Sequence, residues 1–184
     1  MKYKGMTWQK THVAVNGLGK VGHRLVKFLT GAGCKVTVAD IDKNKSMYVC
    51  NKYHCDLVSH DKIHKIDCDV YAPCAIGGAI NKNTVHELKC DIVCGGANNQ
   101  LATPDMIDIL ESKRIFYVPD YIANAGGVII VRTIGDDLVD LEYHNPKVIS
   151  RLNAIDDTVE LITAHHKLGT DPVKAANQIA EGRL

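Results

Sequence analysis

The chain is 184 residues long, 46% apolar and 23% charged, enough for one doubly wound domain with its own core. Its formal net charge of +1 leaves no overall electrostatic signature for nucleic acid or for a membrane surface. No apolar run approaches the roughly 18 residues of a membrane-spanning helix.

A short lead, residues 1–10, joins the first strand abruptly and has no apolar stretch of the kind a secretory signal needs, so a cytoplasmic location is expected. Residues 13–22 read Val-Ala-Val-Asn-Gly-Leu-Gly-Lys-Val-Gly, an apolar strand running into a glycine-rich turn. Gly17, Gly19 and Gly22 stand at the spacing of a dinucleotide turn. The first allows a tight exit from the strand, the second a close backbone approach to a diphosphate, and the third close packing of the next helix. The N-terminus of that helix favours an anion through its free N–H groups and its dipole. Val21, Leu25, Phe28 and Leu29 are expected to form its buried face, with Gly31-Ala-Gly33 as the stop.

A second strand, Cys34 to Ala39, ends at Asp40, about twenty residues beyond the glycines, where such folds keep an acid for the adenosine ribose. The carboxylate would repel a 2′-phosphate by about 4 kcal/mol at 4 Å and an effective dielectric near 20, which favours NAD. Lys43 and Lys45 lie close enough to weaken that preference. A helix from about Lys43 to Tyr53 follows, then an ill-defined segment from Asp56 to Lys65. Asp69-Val-Tyr-Ala, Asp91-Ile-Val-Cys and Arg114-Ile-Phe-Tyr-Val supply three more strands, so the pattern is a parallel sheet covered on both faces.

Three loops follow those strands at residues 73–78, 95–100 and 119–128, each pairing small residues with amides. At the carboxyl edge of an open sheet, small residues admit a flat ring and amides offer donors and acceptors to a carboxamide or a hydroxyl. Turn formation alone also explains Gly and Asn in any one loop. Further on, Val148, Leu152, Ile155, Val159 and Ile162 mark a long helix with one apolar stripe. His165 and His166 sit at its negative pole, Gly169 stops it, and Asp171-Pro172 opens another helix.

Seven cysteines, at 34, 50, 55, 68, 74, 90 and 94, are an odd number scattered through strands and are expected to be reduced thiols. Cys50, His54, Cys55, His60 and His64 cluster in sequence but lack the paired spacing of a structural zinc site, so no metal is expected.

The stretches 17–22, 67–75, 94–100 and 119–129 together resemble the cofactor-binding domain of the glutamate/leucine/phenylalanine/valine dehydrogenases, nearest the leucine dehydrogenase branch, over roughly residues 11–183. The resemblance implies an α/β, Rossmann-type doubly wound, mostly parallel sheet with a C-terminal helical extension: a lead at 1–10, an NAD-binding domain at 11–144 and helices at 145–184. It implies oxidative deamination of a branched-chain L-amino acid such as leucine to its 2-oxo acid, with hydride passing to NAD. It also implies that Gly17, Gly19 and Gly22 hold the diphosphate and Asp40 the adenosine ribose, with Leu18, Lys20, Val21, Ile41 and Ala97 among the other cofactor-binding residues. Cys74 and Ala75 would line the adenosine side or the ribose bridge, and Asn98 and Asn124 would orient the nicotinamide. Asn98, Val128 and Val131 would line the substrate pocket, although Val128 and Val131 also fit an ordinary core-facing helix.

Members of the family carry a catalytic lysine in a Gly-Gly-x-Lys segment, and a proton-moving aspartate, in an N-terminal domain. None of the three Gly-Gly pairs here is followed by such a lysine. Catalytic residues are therefore assigned to none of these positions, and turnover is expected only when a substrate domain is supplied. A non-catalytic NAD-binding module or sensor is the alternative. The expected partners are NAD and, conditionally, an amino acid or 2-oxo acid, with no nucleic acid and no membrane; a homo-oligomer stays open.

Overall fold

A computed structural model describes residues 5–134 and 146–182 and divides the chain into two compact units, Met1–Asp120 and Tyr121–Leu184. The boundary expected at 144/145 lies outside the described residues, as do the first four of the lead.

The first unit is built on a six-stranded sheet in the order β3-β2-β1-β4-β5-β6, every neighbouring pair parallel. The strands are β1 (His12–Asn16), β2 (Lys35–Ala39), β3 (Asp56–Leu57), β4 (Val70–Pro73), β5 (Ile92–Val93) and β6 (Phe116–Tyr117), and the helices are α1 (Lys20–Gly31), α2 (Lys43–Tyr53) and α3 (Met106–Ser112). Strand order reverses between β1 and β4, which makes their carboxyl ends the topological switch point where open α/β sheets bind ligands. β-branched residues fill the sheet because both faces are covered. Val13, Val15, Val36 and Val38 pack with Val26 and Leu29 of α1 and Val49 of α2 in one buried cluster.

α2 keeps the bounds read from the sequence: Asp42 caps it by accepting from the Lys45 N–H at 3.1 Å, and His54 closes it in the left-handed region at φ 53°. α1 corrects the expected face. Gly22, Val26 and Leu29 are buried, whereas Val21 is 56% and Phe28 73% exposed. Gly22 touches the preceding turn and so fixes the helix's rotation, which carries the stripe at 22, 26 and 29 inward and the stripe at 21 and 28 outward. The ill-defined segment after α2 is the short strand β3 and a 3₁₀ turn over Ile63–Lys65.

The second unit holds α4 (Asp120–Ala123, which begins at the boundary), α5 (Gly126–Ile134), α6 (Pro146–Lys167) and α7 (Pro172–Glu181). Along α6, Val148 and Ile162 are buried, and Leu152, Ile155 and Val159 are half-buried, so the apolar stripe is present. His165, His166 and Lys167 form its last turn. Gly169 has φ 89°, Asp171 caps α7 by accepting from the Lys174 N–H at 2.8 Å, and Pro172 is its first residue. Among the described residues no helix is long and apolar enough to cross a membrane.

Candidate nucleotide-binding site

At the switch point the turn after β1 is held on three sides. Gly17 has φ 100°, and its N–H donates to the Ala39 carbonyl at 2.8 Å. A Cβ on Gly17 would lie 2.6 Å from the Ala75 nitrogen, so the loop after β4 presses directly on this turn. A Cβ on Gly22 would meet the Gly17 carbonyl oxygen at 1.9 Å, which is how α1 comes so close to the strand it follows. Gly19 differs from both. It caps α1 with no side-chain hydrogen bond, and a Cβ there would meet nothing within 4 Å. The first-turn N–H groups of a 12-residue helix thus begin beside open space, an arrangement suited to an anion.

The Leu18 side chain is 2% exposed and belongs to the core; only its backbone serves the turn. Its N–H donates to Asp40 Oδ2 at 2.6 Å, and the Asp42 N–H donates to Asp40 Oδ1 at 2.9 Å. Burial pushes the Asp40 carboxyl up, but these two N–H bonds, with the charges of Lys45 and His60, hold it below the ordinary carboxylate value. Each oxygen keeps lone-pair capacity beyond the bond it makes. Lys20 and Val21 are exposed, and Ile41 beside Asp40 is 82% exposed.

Two hollows open near this acid. One, of about 500 Å³, is lined by Asp40, Ile41, Met47, Val58, His60 and Asp61. The other, of about 350 Å³, shares His60 and Asp61 and reaches Asn16, Tyr71, Ala75 and Ile76. At its floor Asn16 Nδ2 donates to the Tyr71 hydroxyl at 2.8 Å, and burial pushes that phenol up to about 12. Sequence reasoning missed Asn16, His60, Asp61 and Tyr71. A polar residue closing an otherwise apolar strand, as Asn16 does, was the available signal.

Cys74 is half-buried, with its Cβ 3.1 Å from the position of a Gly22 Cβ, and Ala75 is exposed. In the loop after β5, Ala97 is buried and donates to the Pro73 carbonyl at 3.0 Å, whereas Asn98 and Asn99 are exposed. Gln100 has no exposed surface; its amide donates to the Gly95 and Ala97 carbonyls at 2.7 and 3.0 Å, so this amide braces the loop from within. Asn124, half-buried between α4 and α5, and Val128 and Val131 belong to the second unit. The two valines are 66% and 53% exposed on one side of α5, which rules out a core-facing stripe at these positions.

All seven cysteines are free. Burial pushes the thiols of Cys55, Cys68 and Cys90 up to about 12 and that of Cys94 up to about 11. A thiol reagent at about pH 8 is therefore expected to leave buried Cys55 and Cys68 unmodified in the folded chain, to react only slowly with half-buried Cys90 and Cys94, and to reach all seven in concentrated guanidinium; fast native labelling of Cys68 would contradict this burial.

The sequence profile described as Glutamate/Leucine/Phenylalanine/Valine dehydrogenase matches residues 37–184. The leucine dehydrogenase of Thermoactinomyces intermedius is 38% identical over 173 residues, covering 94% of this chain and 46% of that enzyme. The phenylalanine dehydrogenase of Caldalkalibacillus thermarum is 39% identical, covering 93% of this chain and 46% of that one. Among solved structures, the L-tryptophan dehydrogenase from Nostoc punctiforme is similar with a TM-score of 0.89 and 32% identity, covering 99% of this chain and 55% of that chain. The chain spans about half the length of the relatives it matches. On its matched residues and its fold, the chain belongs to the glutamate/leucine/phenylalanine/valine dehydrogenase family.

Proposed function

We propose that this chain is the NAD-binding part of an amino-acid dehydrogenase that deaminates a branched-chain L-amino acid and passes hydride to the nicotinamide. The observation that carries the reading is the junction of the uncapped N-terminus of α1 at Gly19 with the Asp40 carboxylate, itself anchored on the Leu18 N–H. The backbone from Gly17 to Gly22 would hold the diphosphate, and Asp40 would accept from the ribose hydroxyls. Ile41, Cys74, Ala75 and Ala97 would shape the adenosine side, Ala97 through its backbone, and Asn98 and Asn124 would orient the nicotinamide.

When bound, NAD would supply the hydride acceptor. The part of the protein is to hold that acceptor about 3 to 3.5 Å from the substrate Cα and to keep water out. Val128 and Val131 support an aliphatic rather than an anionic substrate side chain, since a buried carboxylate there would need a cation. Loss of the amino group also needs an acid and a base titrating near pH 7, and we assign neither to this chain.

Calorimetry with NAD, and NADP as control, tests the proposal. Saturable NAD binding at least about tenfold tighter than NADP is expected from the repulsion at Asp40. Equal affinity for the two, or no binding of either, would overturn it.

A further inference from the structure

The near-zero net charge conceals an uneven distribution. α1 and α2 carry Lys20, Arg24, Lys27, Lys43, Lys45 and Lys52 and no Asp or Glu, so the rest of the chain holds only 16 of the 22 cations against all 21 acids. All six are exposed. Lys20, Arg24 and Lys27 recur at spacings of four and three along α1, and Lys45, Tyr48 and Lys52 at three and four along α2, one stripe on each helix.

Rings join the two stripes. The His23 imidazole of α1 stands edge-on to Tyr48 and Tyr53 of α2 at centroid distances of 6.2 and 5.5 Å, with its Nε2 3.0 Å from the Tyr53 hydroxyl. Lys52 Nζ donates to the Tyr48 hydroxyl at 2.9 Å and lies 5.2 and 5.6 Å from the centroids of the Tyr48 and Tyr53 rings. Tyr48 remains 55% exposed. The carboxylates that flank α2 are already engaged: Asp42 caps it, and Asp56 pairs with Lys35 at 3.7 Å.

We propose that this α1–α2 face binds single-stranded nucleic acid, the cations neutralising phosphates and Tyr48 offering a flat surface to an unstacked base. Cations spaced along two helices beside an exposed ring match a chain that alternates phosphates with flat bases, and a duplex hides the base faces that rings stack on. The face adjoins the nucleotide site at Lys20, at Lys43, which lines the hollow beside Asp40, and at Lys45, whose charge acts on Asp40, so these three are left unaltered in the test.

The test is fluorescence anisotropy of labelled 20-mers of thymidine and of uridine, at 50 mM and 200 mM salt, against the whole chain. Saturable binding that weakens with salt is expected. Lys27→Glu with Lys52→Glu should lower affinity at least tenfold and flatten the salt dependence, whereas Tyr48→Ala should lower it about fivefold or more at unchanged salt slope. Unchanged thermal melting and circular dichroism of the variants show that the fold is intact. Absence of binding at 50 mM salt, insensitivity to these substitutions, or equal binding of poly-glutamate, of a matched duplex or of anionic phosphatidylserine vesicles would overturn the proposal.

Discussion

Gly22→Ala and Gly19→Ala, three residues apart in one turn, are expected to fail in opposite ways. At Gly22 the new methyl would fall 1.9 Å from the Gly17 carbonyl oxygen, a backbone atom, so α1 must move away from β1. Overpacking of this kind costs about 3 kcal/mol, or a fall in Tm of about 6–12 °C for a chain of this size. At Gly19 the methyl meets nothing within 4 Å, and φ there is −64°, which alanine adopts freely. Stability should change by about 1 kcal/mol or less. The methyl would nevertheless occupy the space in which a diphosphate approaches the helix N-terminus, so NAD affinity should fall at least about tenfold. Melting curves and calorimetry on the two variants separate the effects. A Gly19→Ala chain that binds NAD like its parent would remove the anion from this turn.

The second large effect is expected at Asp40, where one carboxylate meets both the turn and the proposed ribose. Asp40→Ala takes the acceptor from the Leu18 N–H, bonded at 2.6 Å in the parent chain, and should cost about 1–3 kcal/mol of stability. Loss of charge-assisted bonds to the sugar hydroxyls should lower NAD affinity by a further 10- to 100-fold. Acid titration isolates the charge. Because the Asp40 carboxyl lies below its ordinary value in the fold, its contribution is complete above the unfolded carboxylate pKa of about 3.9 and is lost as pH falls through the lower folded value. The stability difference between the parent and Asp40→Asn should therefore be constant from about pH 5 to 8 and shrink below about pH 4. Denaturant unfolding measured across that range checks it, and a difference that grows on acidification would show that the charge is not stabilised as described.

How much of this was legible in the residues depended on the range of the interaction. Local chemistry was readable: Asp42 before Lys43 and Asp171 before Pro172 mark helix starts, and the alternation of short apolar runs with helical patterns gives a parallel sheet. The position of Asp40 was readable too, because chain spacing sets it. Features set by distant packing were not. The inward face of α1 depends on how Gly22 meets Gly17, which no helical periodicity encodes. His60 and Asp61 lie in a crossover segment with only one 3₁₀ turn of regular structure, Ile63–Lys65, so their approach to Asn16 and Tyr71 had no local signal. Gln100 looked like one more ligand-facing amide until its burial turned it inward.

That buried amide has a consequence for how such a loop changes over time. With Gln100 clamping the Gly95 and Ala97 carbonyls, the stem after β5 keeps its shape whatever side chains stand at its tip. Exchange at Asn98 then leaves that frame in place, whereas Asn99, at φ 51° and accepting from the Gly78 N–H at 2.8 Å, belongs to the frame itself. The loop works as a fixed socket with replaceable contacts, a design in which ligand preference drifts while folding does not.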